Sequence, residues 1–347
     1  MSRHQEALPL LQLALSPLEA LWADPEVEDV LIQRPGEAWT RRRGEMLRHD
    51  VPLDFVDLEG IAILAGSLKR QNVGRSQPLL SCDLAGGMRM QAILPPCVNA
   101  GTVALAIRRP KKVAPTLAQL GEGGIFADVR PTSRGLSDAD RHLLGLYRAA
   151  QATGSWREFL SATIAAQRTH LLCGLVGTGK THTAMALAGE IPLTSRLVTV
   201  QDADEMAALP HPNRVDLFYS KGDQSEASVT ANDLVEASLR LSMEWLILQE
   251  LRGAEAFSFM RALRSGHPGI TTCHAPSAAD AIPALALMVR QHPAAATVDL
   301  ETIAATLHGL IDVVVHMHRP GGRFEISEVW FRPAADEDAA MTESAPE

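Results

Sequence analysis

The run Gly174-Leu175-Val176-Gly177-Thr178-Gly179-Lys180-Thr181 constrains this chain more than any other segment. It has the spacing G-x-x-x-x-G-K-[ST], and it sits between the apolar Leu171-Leu172-Cys173 and the helix-like Thr183–Leu187. A strand that feeds a glycine turn and then a helix is the setting in which that spacing forms a phosphate cradle. The glycines let successive backbone N–H groups turn inward around phosphate oxygens, and the helix N-terminus adds its positive end. The segment therefore predicts a nucleotide site built from Gly174, Gly177, Thr178, Gly179, Lys180, Thr181 and His182. Lys180 would reach the β- and γ-phosphates, and the Thr181 hydroxyl would ligate Mg²⁺.

A site of this kind needs an acid at the end of a neighbouring strand. Trp245-Leu246-Ile247-Leu248-Gln249-Glu250 is a buried-strand run ending in a carboxylate. Glu250 is placed to polarise an attacking water or to hold metal through water. Gln201-Asp202-Ala203-Asp204-Glu205 follows the strand-like Arg196–Val200 and offers a second cluster, for metal-bound water or as a helix cap. Gly266-His267-Pro268-Gly269 leads into Ile270–Cys273 and His274. A His at that strand end faces the crevice where open parallel sheets bind ligands, in position to bond a γ-phosphate.

Around these motifs, short β-rich runs alternate with helical stretches: His170–Cys173, a helix from Lys180, Arg196–Val200, a helix from Asp233, Trp245–Leu248, a helix over Glu255–Leu263, and Ile270–Cys273. That order implies βαβ units and a parallel sheet with helices on both faces. Val313–His316 and Phe324–Trp330, joined through Pro320-Gly321-Gly322, predict a late hairpin. The first third differs. Val27–Gln33, a hairpin about Gly44, a helix over Leu58–Leu68, and strands Met88–Leu94 and Thr102–Ile107 make an α+β pattern.

The 347 residues accommodate two domains at roughly 150 each. The expected division is 1–110 as a smaller α+β unit, 111–135 as a linker, 136–333 as the α/β nucleotide unit, and 334–347 as an acidic, flexible tail. Ser16-Pro17-Leu18-Glu19 has the pattern of a helix start, with Ser16 as N-cap, and the leucine-rich opening is expected to be an amphipathic helix. No uncharged apolar run reaches about 18 residues, which argues against a bilayer span. Cys82, Cys97, Cys173 and Cys273 form no C-x-x-C pair, so neither zinc spacing nor a disulfide framework is indicated, and a reduced, cytoplasmic chain is expected. The net charge of −9 argues against nucleic-acid affinity over the whole surface, and no strip of aromatic and basic residues suggests base stacking.

The order of motifs resembles the secretion ATPase superfamily, which contains VirB11-type motors, type II secretion ATPases and type IV pilus motors. VQDADEM is similar to its Asp box, LILQELRGAEAF to its Walker B segment, and SGHPGITTCHA to its His box. LPHPNRVDLF, VTANDLVEASLRLSME, GGMRMQAILPPCV and ALAIRRP also look VirB11-like, so the likeness runs from about Asp24 to Trp330. The four-cysteine zinc module usual in type II ATPases is missing, and pilus retraction motors have a different N-terminal domain. The resemblance implies a RecA-like P-loop ATPase using ATP and Mg²⁺, with Glu250, His274 and Asp202 catalytic. It implies a homohexamer that drives type IV secretion of DNA or protein, lying in the cytoplasm against inner-membrane components of the system. No stable sequence-specific nucleic-acid binding is expected.

The same resemblance suggests that arginines of the first unit and linker close over the nucleotide: Arg108, Arg109 and, by looser alignment, Arg130. Arg252 and Arg240 are candidates to act across a subunit interface, and Arg41-Arg42-Arg43 is expected to be a solvated face. Two positions depart from the family. Gln201 stands where an acid is usual and Gln249 where Gly is usual, and an amide neither takes up a proton nor neutralises metal charge. These departures keep a nucleotide-binding scaffold with weak turnover as an alternative, beside a pilus or type II motor and a DNA-translocating RecA-fold ATPase.

Overall fold

The computed structural model describes residues 3–110, 114–129, 135–220 and 226–343. It opens with helices α1 (Arg3–Leu15) and α2 (Glu19–Ala23), joined by a 3₁₀ turn at Ser16–Leu18. Ser16 is not an N-cap: its hydroxyl donates to the Leu13 carbonyl, 2.7 Å away, closing the end of α1 instead. Proline at 17 stops α1 by lacking an N–H, and the chain turns before it resumes as α2.

Strands β1 (Val27–Ile32), β2 (Glu37–Arg42) and β3 (Glu45–Asp50) precede helix α3 (Phe55–Leu68). The start of α3 is fixed by a reciprocal cap between Asp54 and Asp57. Strands β4 (Leu79–Asp83), β5 (Arg89–Ile93) and β6 (Ala104–Arg108) complete an antiparallel sheet in the order β3-β2-β1-β6-β5-β4. One face packs on α1 and α3 through Leu58, Ile61, Leu80 and Leu105. The opposite face, with Leu31, Trp39 and Ala106, joins the core of the second half of the chain.

The segment expected to be a linker contains a short helix, α4 (Leu117–Glu122), capped by Thr116 and Gln119. Helices α5 (Asp138–Thr153) and α6 (Trp156–Ala165) then lead into β7 (His170–Gly174) and α7 (Lys180–Gly189). After them come β8 (Leu197–Gln201), β9 (Arg214–Phe218), α8 (Ala231–Ser238), β10 (Trp245–Leu248), α9 (Glu255–Arg264) and β11 (Gly269–Cys273). The chain closes with α10 (Ala278–Arg290), α11 (Leu300–Leu310), β12 (Val313–His318), β13 (Glu325–Phe331) and α12 (Arg332–Glu343). The run expected to fray from Ala334 is thus helical as far as Glu343, where Arg148 pairs with Glu337. Two strands, β4 and β9, have no counterpart in the sequence reading.

The second sheet has the order β13-β12-β7-β11-β10-β8-β9. All its pairings are parallel except the β12–β13 hairpin. Its central strands are buried on both faces, and their apolar runs show no alternation for that reason. β7 lies between β11 and β12, so the turn after β7 opens at the middle of the sheet's C-terminal edge.

The first unit docks at the other edge, where strands β8 to β11 begin. Arg41 donates to the Ser242 carbonyl at 2.8 Å, the Ser242 hydroxyl to Asp29 at 2.9 Å, and Arg34 to the Pro212 carbonyl at 2.8 Å. Arg196, fully buried, donates to Leu241 O at 2.7 Å, Gln33 Oε1 at 3.1 Å and Asn213 Oδ1 at 2.5 Å. Of the three arginines expected on a solvated face, Arg41 is instead engaged in this docking, whereas Arg42 and Arg43 are exposed and pair at the surface with Asp24 and Glu26.

Candidate active site

The turn after β7 shows why glycine is required at its ends. Gly174 has φ +144°, and a Cβ there would come within 2.2 Å of the Met317 carbonyl on the adjacent strand β12. Gly179 has φ +88°, a left-handed conformation that leads straight into α7. Thr178 closes the loop from inside, donating to Leu175 O at 2.9 Å.

Lys180 is almost fully buried, and its ammonium donates to the carbonyls of Gly174 and Leu175, each at 2.9 Å. Burial lowers its pKa, and the nearby Glu250 carboxylate works against that shift. Thr181 and His182 follow on the first turn of α7 and line the same cleft.

Two strands away, β10 delivers Glu250. Its Oε1 lies 2.6 Å from His274 Nε2, and its Oε2 accepts from Arg252 Nε at 2.6 Å. His274 follows β11, with Nδ1 3.1 Å from Gly174 O and 3.3 Å from Lys180 Nζ. A proton on Nε2 faces Glu250. Nδ1 then either accepts from Lys180 or, when also protonated, donates to Gly174 O. Burial raises the Glu250 pKa, and Asp202 and Glu205 add to the rise, while His274 and Lys180 oppose it. A carboxylate so placed holds its proton at higher pH than a free one, which suits a group that must take a proton from water.

Within its own chain Arg252 bridges two acids, Glu250 and Asp202, with Nη1 2.9 Å from Asp202 Oδ2. Gln201 and Gln249 are both buried and both structural. Gln201 Oε1 accepts from the backbone N–H groups of Glu205 (3.1 Å) and Met206 (3.2 Å), while its Nε2 donates to the Thr199 hydroxyl at 3.2 Å. No carboxylate can both accept and donate in this way. Gln249 Oε1 accepts from the Asp202 N–H at 2.9 Å and so pins the residue that pairs with Arg252. Nothing in the linear order points to this role for Gln249, because the bond joins the ends of two strands far apart in the chain.

These groups share a cleft of about 460 Å³, lined by Val176 to His182, Glu250, Arg252, Thr272, His274, Arg319 and Phe324. Asp202 stands behind Arg252. Arg319 and Phe324 were not singled out by the sequence; they come from the β12–β13 turn, which only the sheet order brings beside the P-loop.

The arginines expected to close over the nucleotide lie elsewhere within the chain. Arg109 donates to the Trp22 and Asp24 carbonyls, at 2.6 and 3.1 Å, and is spent on its own unit. Arg108 lines a separate cleft of about 510 Å³ between the two units, with Arg41, Arg89, Arg240 and His267. This second cleft sits where β10 and β11 begin, whereas the P-loop cleft sits where they end. Arg130 falls outside the described residues.

A profile of the type II/IV secretion system protein family matches residues 134–319. The VirB11 protein of Agrobacterium fabrum is 36% identical over 335 residues, covering 95% of each chain. The type IV secretion system protein VirB11 of Brucella suis is 36% identical over 326 residues, covering 92% of this chain and 89% of that one. Among solved structures, the VirB11 ATPase from the Brucella suis type IV secretion system, in complex with sulphate, superposes with a TM-score of 0.89. That match has 34% identity over 97% of this chain and 99% of the other. The chain belongs to the VirB11 family of type IV secretion ATPases. As a VirB11-family member it is a nucleotide-binding ATPase with a RecA-like fold, which favours the motor reading over the pilus, type II and DNA-translocase alternatives. Among the described residues, no helix is long and apolar enough to cross a membrane.

Proposed function

We propose that this chain hydrolyses Mg-ATP, with Glu250 as the general base, as one subunit of a homohexameric ring that powers type IV secretion. The observation that carries the mechanism is Glu250 itself: a largely buried carboxylate at a strand end, 2.6 Å from His274 and facing the P-loop lysine. In the ATP-bound form Lys180 exchanges the Gly174 and Leu175 carbonyls for phosphate oxygens. His274, in contact with both Lys180 and Glu250, reports the arrival of the γ-phosphate. Thr181, through its hydroxyl, would hold Mg²⁺ beside the nucleotide's phosphates, with the nearby carboxylates helping through water, a set of hard oxygens that suits the ion. Its part is to neutralise phosphate charge.

Residues 1–110 and 136–333 are taken as two units joined by 111–135. Because the first unit docks where the strands begin, Arg108 is separated from its own P-loop by the length of β10 and β11, about 3.3 Å per residue. It serves instead the nucleotide of a neighbouring copy, with Arg240 beside it. The ring sits at the cytoplasmic face of the inner membrane, held by other components of the system. Its cargo is DNA or protein, and it makes no stable sequence-specific contact with nucleic acid.

The test is Mg-ATP turnover by the purified chain, by Lys180→Ala and by Glu250→Gln, with native mass measured in parallel. Loss of turnover in both variants, from a particle of six chains, is the expected result. Wild-type protein that binds ATP without turnover would instead favour the scaffold. Mixing Arg108→Ala with Lys180→Ala chains should restore part of the activity if the arginine acts between copies; no gain on mixing would place it outside the site.

A further inference from the structure

The strand order fixes the direction in which a nucleotide runs through the P-loop cleft. β7 launches the loop, with β11 on one side and β12 on the other. The groups that face the terminal phosphate, Glu250 and His274, follow β10 and β11. The base end therefore points the other way, toward β12 and its turn into β13. That side of the cleft is walled by Arg319 and Phe324.

Phe324 is 55% exposed, in a chain of only 4% aromatic residues. A single exposed phenyl ring is unremarkable by itself. Its neighbours make this one informative. The ring lies directly on Gly179, where an added Cβ would come within 2.9 Å of Cδ1, so the last glycine of the loop is also the floor under the ring. The Arg319 guanidinium carbon stands 4.7 Å from the ring centroid, and Arg319 Nε donates to Gly322 O at 3.0 Å. Gly321 and Gly322, with φ of +58° and +87°, turn the chain sharply enough to bring the two side chains together.

We propose that the Phe324–Arg319 pair is the platform on which the nucleobase and ribose lie, and that it sets nucleotide selectivity. This deepens the ATPase reading above and rests on it. A ring face and a guanidinium plane hold a base by stacking, which tolerates any base because every base has a π-face. Neither group reads the hydrogen-bonding edge that separates adenine from guanine. The class recognised is thus the purine nucleoside triphosphates, ATP and GTP alike, with pyrimidine nucleotides held more weakly by their smaller rings.

The experiment is calorimetric binding of ATP, GTP, CTP and inorganic tripolyphosphate to the full chain and to Phe324→Ala, Phe324→Trp and Arg319→Ala. Stacking losses of the usual size predict that Phe324→Ala weakens ATP and GTP by about tenfold. It should leave tripolyphosphate unchanged and raise KM with little change in kcat, and Phe324→Trp should restore purine binding. Equal loss of ATP and tripolyphosphate in Phe324→Ala would mean that the ring only shapes the loop. An unchanged ATP affinity, or a wild type that binds ATP far better than GTP, would overturn the platform and leave the ATPase reading standing. Failure of the wild type to bind either ATP or tripolyphosphate would sink the underlying reading as well.

Discussion

At the start of β8, Arg196 is fully buried among neutral acceptors: a backbone carbonyl and the side-chain oxygens of Gln33 and Asn213. Burial, with Arg41 nearby, lowers its pKa to about 9, so it stays charged at neutral pH. At the far end of the neighbouring strand β10, Glu250 is also largely buried, but its neighbours Arg252, His274 and Lys180 are charged or titratable and all bear on it. The first cluster has fixed partners and no room to exchange them. In the second, each group has more than one partner of similar quality, so a phosphate or a proton can redistribute the contacts. One sheet thus carries a joint at one edge and a responsive site at the other. The difference lies in whether the partners are neutral and fixed or charged and competing.

Four substitutions test that contrast. The largest effect is expected from Glu250→Gln, which keeps the shape but cannot accept a proton. ATP hydrolysis should fall by about 10³-fold with ATP binding retained, as general-base removal does elsewhere. A fall of less than tenfold in single-turnover assays would move the base to another residue.

Next is Arg196→Ala, which leaves several buried acceptors unpaired at the joint. It should cost about 3 kcal/mol of stability, read as a lower urea midpoint, while the folded fraction keeps its ATP affinity. An equal loss of ATP affinity at low temperature would show that the two edges are not independent.

Gln249→Gly restores the residue usual in the family and removes the acceptor that holds the Asp202 N–H. About 1 kcal/mol of stability should be lost, with kcat reduced a few-fold at most. A more stable variant would show that Gln249 is strained rather than structural.

For Asp202→Asn the pH profile is the readout. Because burial and the Asp202 and Glu205 charges raise the Glu250 pKa, Glu250 binds its proton more tightly in the folded chain than in the unfolded one. The stability this contributes is present below the unfolded pKa and is lost as pH rises through the folded value. The ionised base appears only over that same rise. Removing the Asp202 charge lowers the Glu250 pKa, so the acid limb of kcat should shift to lower pH; a shift upward would contradict the assignment.

Much of this was readable along the chain. The P-loop and Glu250 each follow an apolar run, His274 follows a β-branched one, and the parallel sheet followed from strands alternating with helices. β4 and β9 escaped because neither forms a clean apolar run: Ser81 and Asp83 interrupt β4, and Arg214 and Asp216 interrupt β9. Ser16 failed as a cap because its pattern of side chains fits two roles, and a preceding helix took the other.

The chemistry that rests on local order can be read along the chain: a glycine loop before a helix, an acid or an imidazole at the end of a strand. These depend on backbone geometry within a few residues, and side-chain type at fixed spacing is enough to specify them. The tertiary structure alone decided which distant groups meet. It put Arg108 at the opposite edge from its own P-loop, gave both Gln249 and Arg252 to Asp202, and laid Phe324 on Gly179. Each of these placements joins segments far apart in the chain, and strand order is set by how the whole set of apolar faces packs rather than by any one segment.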